Sequence, residues 1–124
     1  MSITEPSNIG LSDHAHALLS QMKEDNFLAE MADGYRLGIA LALSQGVDPP
    51  EVPMPRHTFY TVATVDPDQD IASAIRALMD LEGGSVYRMA ERLADWGVRH
   101  LAERFDSGPI DVAALIQDTR AAKK

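Results

Sequence analysis

The sequence predicts a mainly helical fold of about five helices with one or two short β-strands, in a single domain that we expect to form a homodimer. Apolar residues recur at steps of three and four along most of the chain, which is the period of an amphipathic helix. β-branched and aromatic residues dominate one segment, 58–65, which limits the predicted sheet to one or two strands. A length of 124 residues, 45% of them apolar, suits one hydrophobic core.

The predicted domain covers residues 1–124 and has three parts. Residues 8–46 contain a short strand and two helices, and residues 47–57 form a proline-rich connection. Residues 58–120 contain a strand followed by the remaining helices. No repeat of fixed spacing divides the chain further.

The first predicted helix begins at Ser12, whose hydroxyl can cap the free N–H groups of the first turn. Asp13 follows in that turn, where a carboxylate is favourable near the positive end of the helix dipole. The segment before it, 3–11, can supply a short edge strand, limited in length by Pro6 and Gly10.

The second predicted helix starts at Asn26 as its N-cap and runs to about Gln45. Its segment 37–43 is apolar on every side, so other residues must cover it on every side. Small residues at steps of four along this helix would let another backbone approach closely. We therefore predict that the helix forms an interface with a second copy of the chain. The predicted interface residues are Phe27, Met31, Gly34, Tyr35, Gly38, Leu41 and Ala42.

A proline-rich segment and a strand follow the second helix. Four of the seven prolines lie in residues 48–55, so this segment must be extended. Residues 58–65 have the composition of a strand, and a single strand is not stable alone. Its partner must be either the N-terminal segment or a strand of a second copy.

A third helix is predicted to begin with Asp66 as N-cap, Pro67 at the first helical position and Gln69 completing a capping box. Gly83 and Gly84 are expected to end it. This start signal is the clearest in the chain, because three positions agree.

The fourth predicted helix is capped by Ser85 and runs to about Phe105, with an apolar arc wide enough to place it at the centre of the fold. The residues from Asp106 to Pro109 interrupt the pattern. A last short helix is predicted from 110 to about 120, which brings the number of helices to five.

Charge and cysteine content exclude several classes of function. Nineteen acidic against eleven basic residues give a net charge of −8, which opposes binding to nucleic acid or to an anionic membrane. The chain has no cysteine, which excludes disulfides, thiolate nucleophiles and cysteine-ligated metals. It also lacks a long apolar run and a signal-peptide pattern, so we expect a cytoplasmic protein without membrane contact.

One side of the fourth predicted helix alternates arginines and carboxylates at steps of three and four. We interpret it as a solvent-facing ladder of ion pairs, ahead of the alternative of a phosphate-binding stripe. The ladder consists of Arg88, Arg92, Asp95, Arg99 and Glu103, bordered by Glu91. The residues predicted to contact a partner or an anion are Arg56, His57, Arg88, Arg92 and Arg99.

The sequence contains no recognised motif of nucleophilic catalysis or nucleotide binding. His14 and His16 lie two residues apart in a predicted helix, so their rings point in different directions and cannot share a metal ion. His100 lies in an apolar arc, where a structural role outweighs a catalytic one. We therefore predict no catalytic residue, no metal site and no cofactor.

The order of elements in residues 8–45 resembles a ribbon-helix-helix half. It reads Asn-Ile-Gly-Leu-Ser-Asp at residues 8–13, then Asn-Phe-Leu-Ala-Glu-Met-Ala-Asp-Gly-Tyr-Arg-Leu-Gly-Ile-Ala-Leu-Ala-Leu at 26–43. The same third of the chain resembles the DndE-like small accessory proteins of bacterial DNA-modification and phage-defence islands. Because the candidate strand has no basic residue to enter a DNA groove, the resemblance implies a dimeric helical architecture more than DNA reading.

These observations predict a non-enzymatic accessory or adaptor protein that acts through self-association and protein–protein contact. The alternative is a nucleic-acid-binding dimer, either a ribbon-helix-helix-like regulator or a subunit of a defence system. A third hypothesis, an enzyme that uses His57 or His100 beside a carboxylate, requires a cleft that brings the two groups within hydrogen-bond distance.

Overall fold

A computed structural model describes residues 5–105 of the chain. It confirms the predicted class, because the described residues form a small, mainly α domain with five helices and a two-stranded antiparallel sheet. The elements are β1 (Asn8–Ser12), α1 (Asp13–Glu24), α2 (Met31–Ser44), β2 (Arg56–Thr61), α3 (Val62–Val65), α4 (Asp70–Leu78) and α5 (Val86–Phe105). The helix predicted over 110–120 lies outside the described residues.

Asn26 ends the first helix and does not begin the second, contrary to the prediction. Its φ of 64° is left-handed, a conformation that asparagine tolerates better than most residues. Phe27 N–H donates to Met22 O and Asn26 N–H to Lys23 O, which is the hydrogen-bond pattern of a Schellman motif. The second helix therefore starts four residues later than predicted, with Glu30 at the N-cap position and Met31 as its first residue.

The second strand is shorter than predicted and begins earlier. It covers Arg56–Thr61, and residues 62–65 turn into the one-turn helix α3 although valine and threonine favour strands. The Thr61 hydroxyl accepts a hydrogen bond from Thr64 N–H at 3.2 Å, which caps that turn. Local capping therefore outweighs strand propensity at this point.

Asp66 caps the next helix from further away than predicted. The helix α4 starts at Asp70, and the Asp66 carboxylate accepts from the N–H groups of Ile71 and Ala72 at 2.9 and 3.0 Å. Helix α4 also ends at Leu78, before the glycines that were expected to end it. The prediction for α5 is closer, since Ser85 Oγ accepts from Arg88 N–H at 3.1 Å as an N-cap should.

The sheet settles which partner the second strand has. β1 pairs with β2 of the same chain in antiparallel register, with Ile9 opposite Tyr60 and Leu11 opposite His57. An irregularity in the register falls between Ile9 and Gly10. The N-terminal segment, one of the two predicted alternatives, is therefore the partner.

The apolar helix α2 is covered by α5 of the same chain. The two backbones meet at Gly38 and Gly97, where a Cβ on Gly97 would lie 1.9 Å from Gly38 O. The prediction that small residues admit another backbone is therefore right, but that backbone belongs to α5 and not to a second copy. Helix α1 packs against another side of α2 and the one-turn helix α3 also contacts it, whereas Ala40 is exposed, so the helix is not covered on every side as predicted.

Most of the residues predicted for the dimer interface are consequently unavailable to a second copy. Tyr35, Gly38, Leu41 and Ala42 are buried in the core, and Gly34 is buried beneath side chains of the same chain. Met31 is half-buried, and only Phe27 is exposed, at 39%. The assignment of this surface to a second copy is corrected, whereas dimer formation itself stays a prediction.

Candidate functional site

Two of the three carboxylates in and beside the predicted ladder on α5 are buried, contrary to the solvent-facing interpretation, whereas Glu103 is exposed. Glu91 and Asp95 are 2% and 1% exposed. Both side chains point at β1, which crosses this side of α5. A helix face that reads as polar in the sequence is therefore a contact with the sheet.

The two carboxylates take the place of a third strand beside β1. Gly10 N–H donates to Glu91 Oε2 at 2.9 Å, and Ser12 N–H donates to Asp95 Oδ2 at 2.8 Å. Alternate residues of an antiparallel pair direct their N–H groups away from the partner strand, and Gly10 and Ser12 are two such residues. Glu91 and Asp95 are four residues apart on a helix, a rise of about 6 Å. Gly10 and Ser12 are two residues apart on a strand, a rise of about 6.8 Å. The carboxylates and the N–H groups therefore have nearly the same spacing.

Arginines neutralise the buried carboxylates. Arg56 Nη1 and Arg88 Nη1 donate to the two oxygens of Glu91, at 2.6 and 2.9 Å. Arg99 Nε lies 3.2 Å from Asp95 Oδ1 as a charge contact, without the geometry of a hydrogen bond. Three arginines of the predicted partner or anion face thus bind carboxylates of their own chain.

Arg92 holds the proline-rich connection against α5. Its Nε donates to Pro49 O at 3.1 Å, and a second guanidinium nitrogen also donates to Pro49 O. One side chain therefore anchors the predicted extended segment near its start. These contacts use the Nε–H and one further N–H of the five guanidinium donors.

The outer edge of β2 contrasts with that of β1. Because Thr58 and Arg56 stand opposite Gly10 and Ser12, their backbone N–H and C=O groups also point outward, on the far side of β2. No strand within residues 5–105 pairs with that side. We call these outward backbone groups and the neighbouring Phe59 the open edge of β2.

Side chains beside the open edge form an exposed aromatic cluster. Phe59 is 38% exposed, and its ring stacks on that of His16 with centroids 3.8 Å apart. His57 Nε2 lies 2.8 Å from Asp13 Oδ1, and both side chains are more than half exposed. Partial burial lowers the pKa of His16, although the nearby Asp13 charge acts in the opposite direction.

The two histidines of the enzyme hypothesis occupy different surroundings. His57 has its carboxylate partner on the open surface, and none of the clefts described among residues 5–105 is lined by it. His100 lines a cleft of about 470 Å³ with Glu103, yet its Nδ1 bonds to Trp96 O at 2.9 Å and its ring stacks on Trp96. Within the part of the chain that the structure describes, no three or more potential ligands form a metal site.

Sequence reasoning missed two polar contacts that connect distant segments. The Glu5 carboxylate accepts from Ser85 Oγ and from the N–H groups of Val86 and Tyr87, at 3.0 and 3.2 Å for the latter two, and so caps α5. Burial opposes the charge of Glu5, but these hydrogen bonds outweigh it and lower its pKa. Tyr87 O–H donates to Asp66 Oδ2 at 2.9 Å. No local signal could reveal pairs separated by 80 or 21 residues.

Comparison with known proteins adds no information to these geometric observations. The chain matches no protein-family profile, no curated protein and no solved structure. No helix within residues 5–105 is both long enough and apolar enough to cross a membrane.

We predict that Glu91→Ala lowers the free energy of unfolding by about 3 kcal/mol, because it leaves Gly10 N–H and two arginines without their buried partner. Urea denaturation of the full chain measures the change. Glu103→Ala is the matched control: it removes an exposed carboxylate from the same helix and should change stability by less than about 0.5 kcal/mol. Equal effects of the two substitutions would contradict the assigned role of Glu91.

The buried Tyr87 predicts a loss of stability at high pH. Burial and the hydrogen bond to Asp66 raise the pKa of Tyr87 from 10.0 to about 12. Because the folded pKa is above the unfolded one, this contribution is complete below pH 10.0 and is lost as the pH rises towards about 12. Urea denaturation over this range should show a smaller decline for Tyr87→Phe than for the wild type, and identical declines would refute the assignment.

Proposed function

We propose that this protein is a non-enzymatic accessory protein that acts through protein–protein contact, self-association included, at the open edge of β2. The observation that carries this proposal is the difference between the two sides of the sheet. The outer side of β1 is closed by Glu91 and Asp95, whereas the outward backbone groups of β2 pair with no strand in the described part of the chain, 5–105. An unpaired strand edge is a template for adding a strand from another chain.

The side chains of β2 support strand addition. Natural proteins protect exposed edges with charged residues, lysine above all. Residues 57–61 contain no lysine, arginine, aspartate or glutamate, and Arg56 turns towards Glu91. The half-exposed Phe59 adds an aromatic side chain that an arriving strand can cover.

A second copy of the chain fits this edge by symmetry. Antiparallel pairing of β2 with β2 of another copy is self-complementary, as a two-fold contact requires. It would join two two-stranded sheets into one of four strands, which is a more stable size. In this proposal β2 replaces α2 as the surface of self-association, because α2 is used inside the chain.

The proposed relation to ribbon-helix-helix and DndE-like accessory proteins is supported by the order of β1, α1 and α2, which follow one another as that resemblance expects. The nucleic-acid alternative has less support. It needs free cations, whereas Arg56, Arg88 and Arg99 contact buried carboxylates and the net charge is −8.

We predict that adding a charge at the open edge weakens self-association. Thr58→Lys should raise the dimer dissociation constant by at least about tenfold, since the lysine must lose hydration when a second strand pairs. Ala63→Lys adds the same charge on α3, outside β2, and should behave as the wild type does. Light scattering over a concentration series measures self-association. A separate titration with duplex DNA at low salt measures nucleic-acid binding.

The wild type should approach twice the 13.5 kDa chain mass as its concentration rises. A wild type that stays monomeric at millimolar concentration would contradict the proposal, as would equal association of the Thr58→Lys variant. Salt-sensitive binding of DNA by the wild type would favour the alternative function instead.

A further inference from the structure

A second surface of the molecule, away from the sheet, has the chemistry of a binding site. It is a cleft of about 550 Å³ between the end of α2, the connection from α4 to α5, and α5 itself. Six of its eleven described lining residues are apolar. The apolar lining residues are Leu43, Val47, Leu78, Met79, Leu81 and Met89. We call this space the methionine cleft.

The apolar lining of the methionine cleft is open to an incoming group. Leu78 is 67% exposed at the end of α4, which is a large exposed fraction for a leucine. Met79 and Met89 are half-buried and approach the cleft from two different elements. Methionine is unbranched and polarisable, so it adapts to apolar groups of different shapes. The cleft can therefore bury an apolar side chain supplied from outside.

The charged lining of the same cleft is predominantly negative. Asp48, Asp80 and Glu82 are exposed, and none of them forms an ion pair within residues 5–105. Asp80 Oδ1 accepts only from Glu82 N–H, at 2.9 Å. Arg92 is the one basic residue among the described lining residues, and its guanidinium donates to Pro49 O and Pro50 O. Three carboxylates and one arginine therefore line the described part of the cleft, which gives this lining a net negative charge.

We propose that the methionine cleft binds a short segment of a partner protein in which leucine-like side chains are flanked by lysine or arginine. The apolar side chains fill the space between Met79 and Met89, and the basic groups meet the carboxylates of Asp48, Asp80 and Glu82. A cation on the arriving segment is attracted to this cleft, because its described lining carries three carboxylates against one arginine and the chain is acidic overall. The site is separate from the open edge of β2.

The probe for this proposal is the synthetic peptide acetyl-Lys-Leu-Leu-Lys-amide, titrated into the full chain carrying ¹³C-methyl methionine. Six methionines report on different places in the molecule. The methyl signals of Met79 and Met89 should shift, whereas those of the buried Met22 and the exposed Met54 should not. The shifts should weaken as salt is added, since exposed charges are screened. The acidic peptide acetyl-Glu-Leu-Leu-Glu-amide should produce no shift.

A matched pair of double variants tests the charges. Asp80→Asn with Glu82→Gln should raise the dissociation constant of the basic peptide by about fivefold or more. Glu24→Gln with Asp25→Asn removes the same amount of charge at the exposed end of α1. This control should leave the dissociation constant of the basic peptide within about twofold of the wild-type value. All these side chains are exposed, so the variants should remain folded, which circular dichroism verifies.

Three results would overturn the proposal: no methyl shift at millimolar basic peptide, equal binding of the acidic peptide, or equal weakening in both double variants. Shifts confined to Met54 would also overturn it, by placing the peptide elsewhere. Because the cleft and β2 lie on different elements, Thr58→Lys should not change peptide binding. Failure of one proposal is therefore distinguishable from failure of the other.

Discussion

The backbone of β1 must be satisfied on both sides, and the way this happens organises the molecule. One side pairs with β2, and the other donates two N–H groups to the buried carboxylates of Glu91 and Asp95. A buried N–H without a partner is costly, and a buried carboxylate without hydrogen bonds or counter-charge is more so. The N–H groups of β1 therefore gain acceptors, and the buried carboxylates gain donors. These hydrogen bonds fix α5 across the sheet in one register.

The same contact explains where the rest of the chain lies. With α5 held against β1, its opposite side is free to meet α2, and the two helices approach closely at Gly38 and Gly97. The arginines that neutralise Glu91 come from β2 and from α5, so the charge balance also connects the sheet to the helix. Most of the residues that the sequence offers for self-association or anion binding contact other parts of the same chain, whereas β2 and the methionine cleft face outward within residues 5–105.

The sequence predicts the helical class and the Ser85 cap correctly because these depend on local pattern. It misplaces α2 because Asn26 suits either a cap before a helix or a left-handed residue after one, and the choice depends on contacts within α1. The sequence also predicts solvent exposure for Glu91 and Asp95, which is wrong. Opposite charges three or four residues apart give the same sequence pattern on a helix face that meets water and on one that meets a strand. The candidate site depends on pairs about 80 residues apart, which no local pattern contains.

Hydrogen exchange of individual backbone amides tests the central claim most directly, at a concentration too low for self-association. If Glu91 and Asp95 close the outer side of β1 while β2 remains open, Gly10 and Ser12 N–H should exchange at least about a hundredfold more slowly than Arg56 and Thr58 N–H. The rates of Gly10 and Ser12 should approach that of Leu11, which pairs within the sheet. Exchange of Gly10 and Ser12 as fast as that of Thr58 would contradict the account.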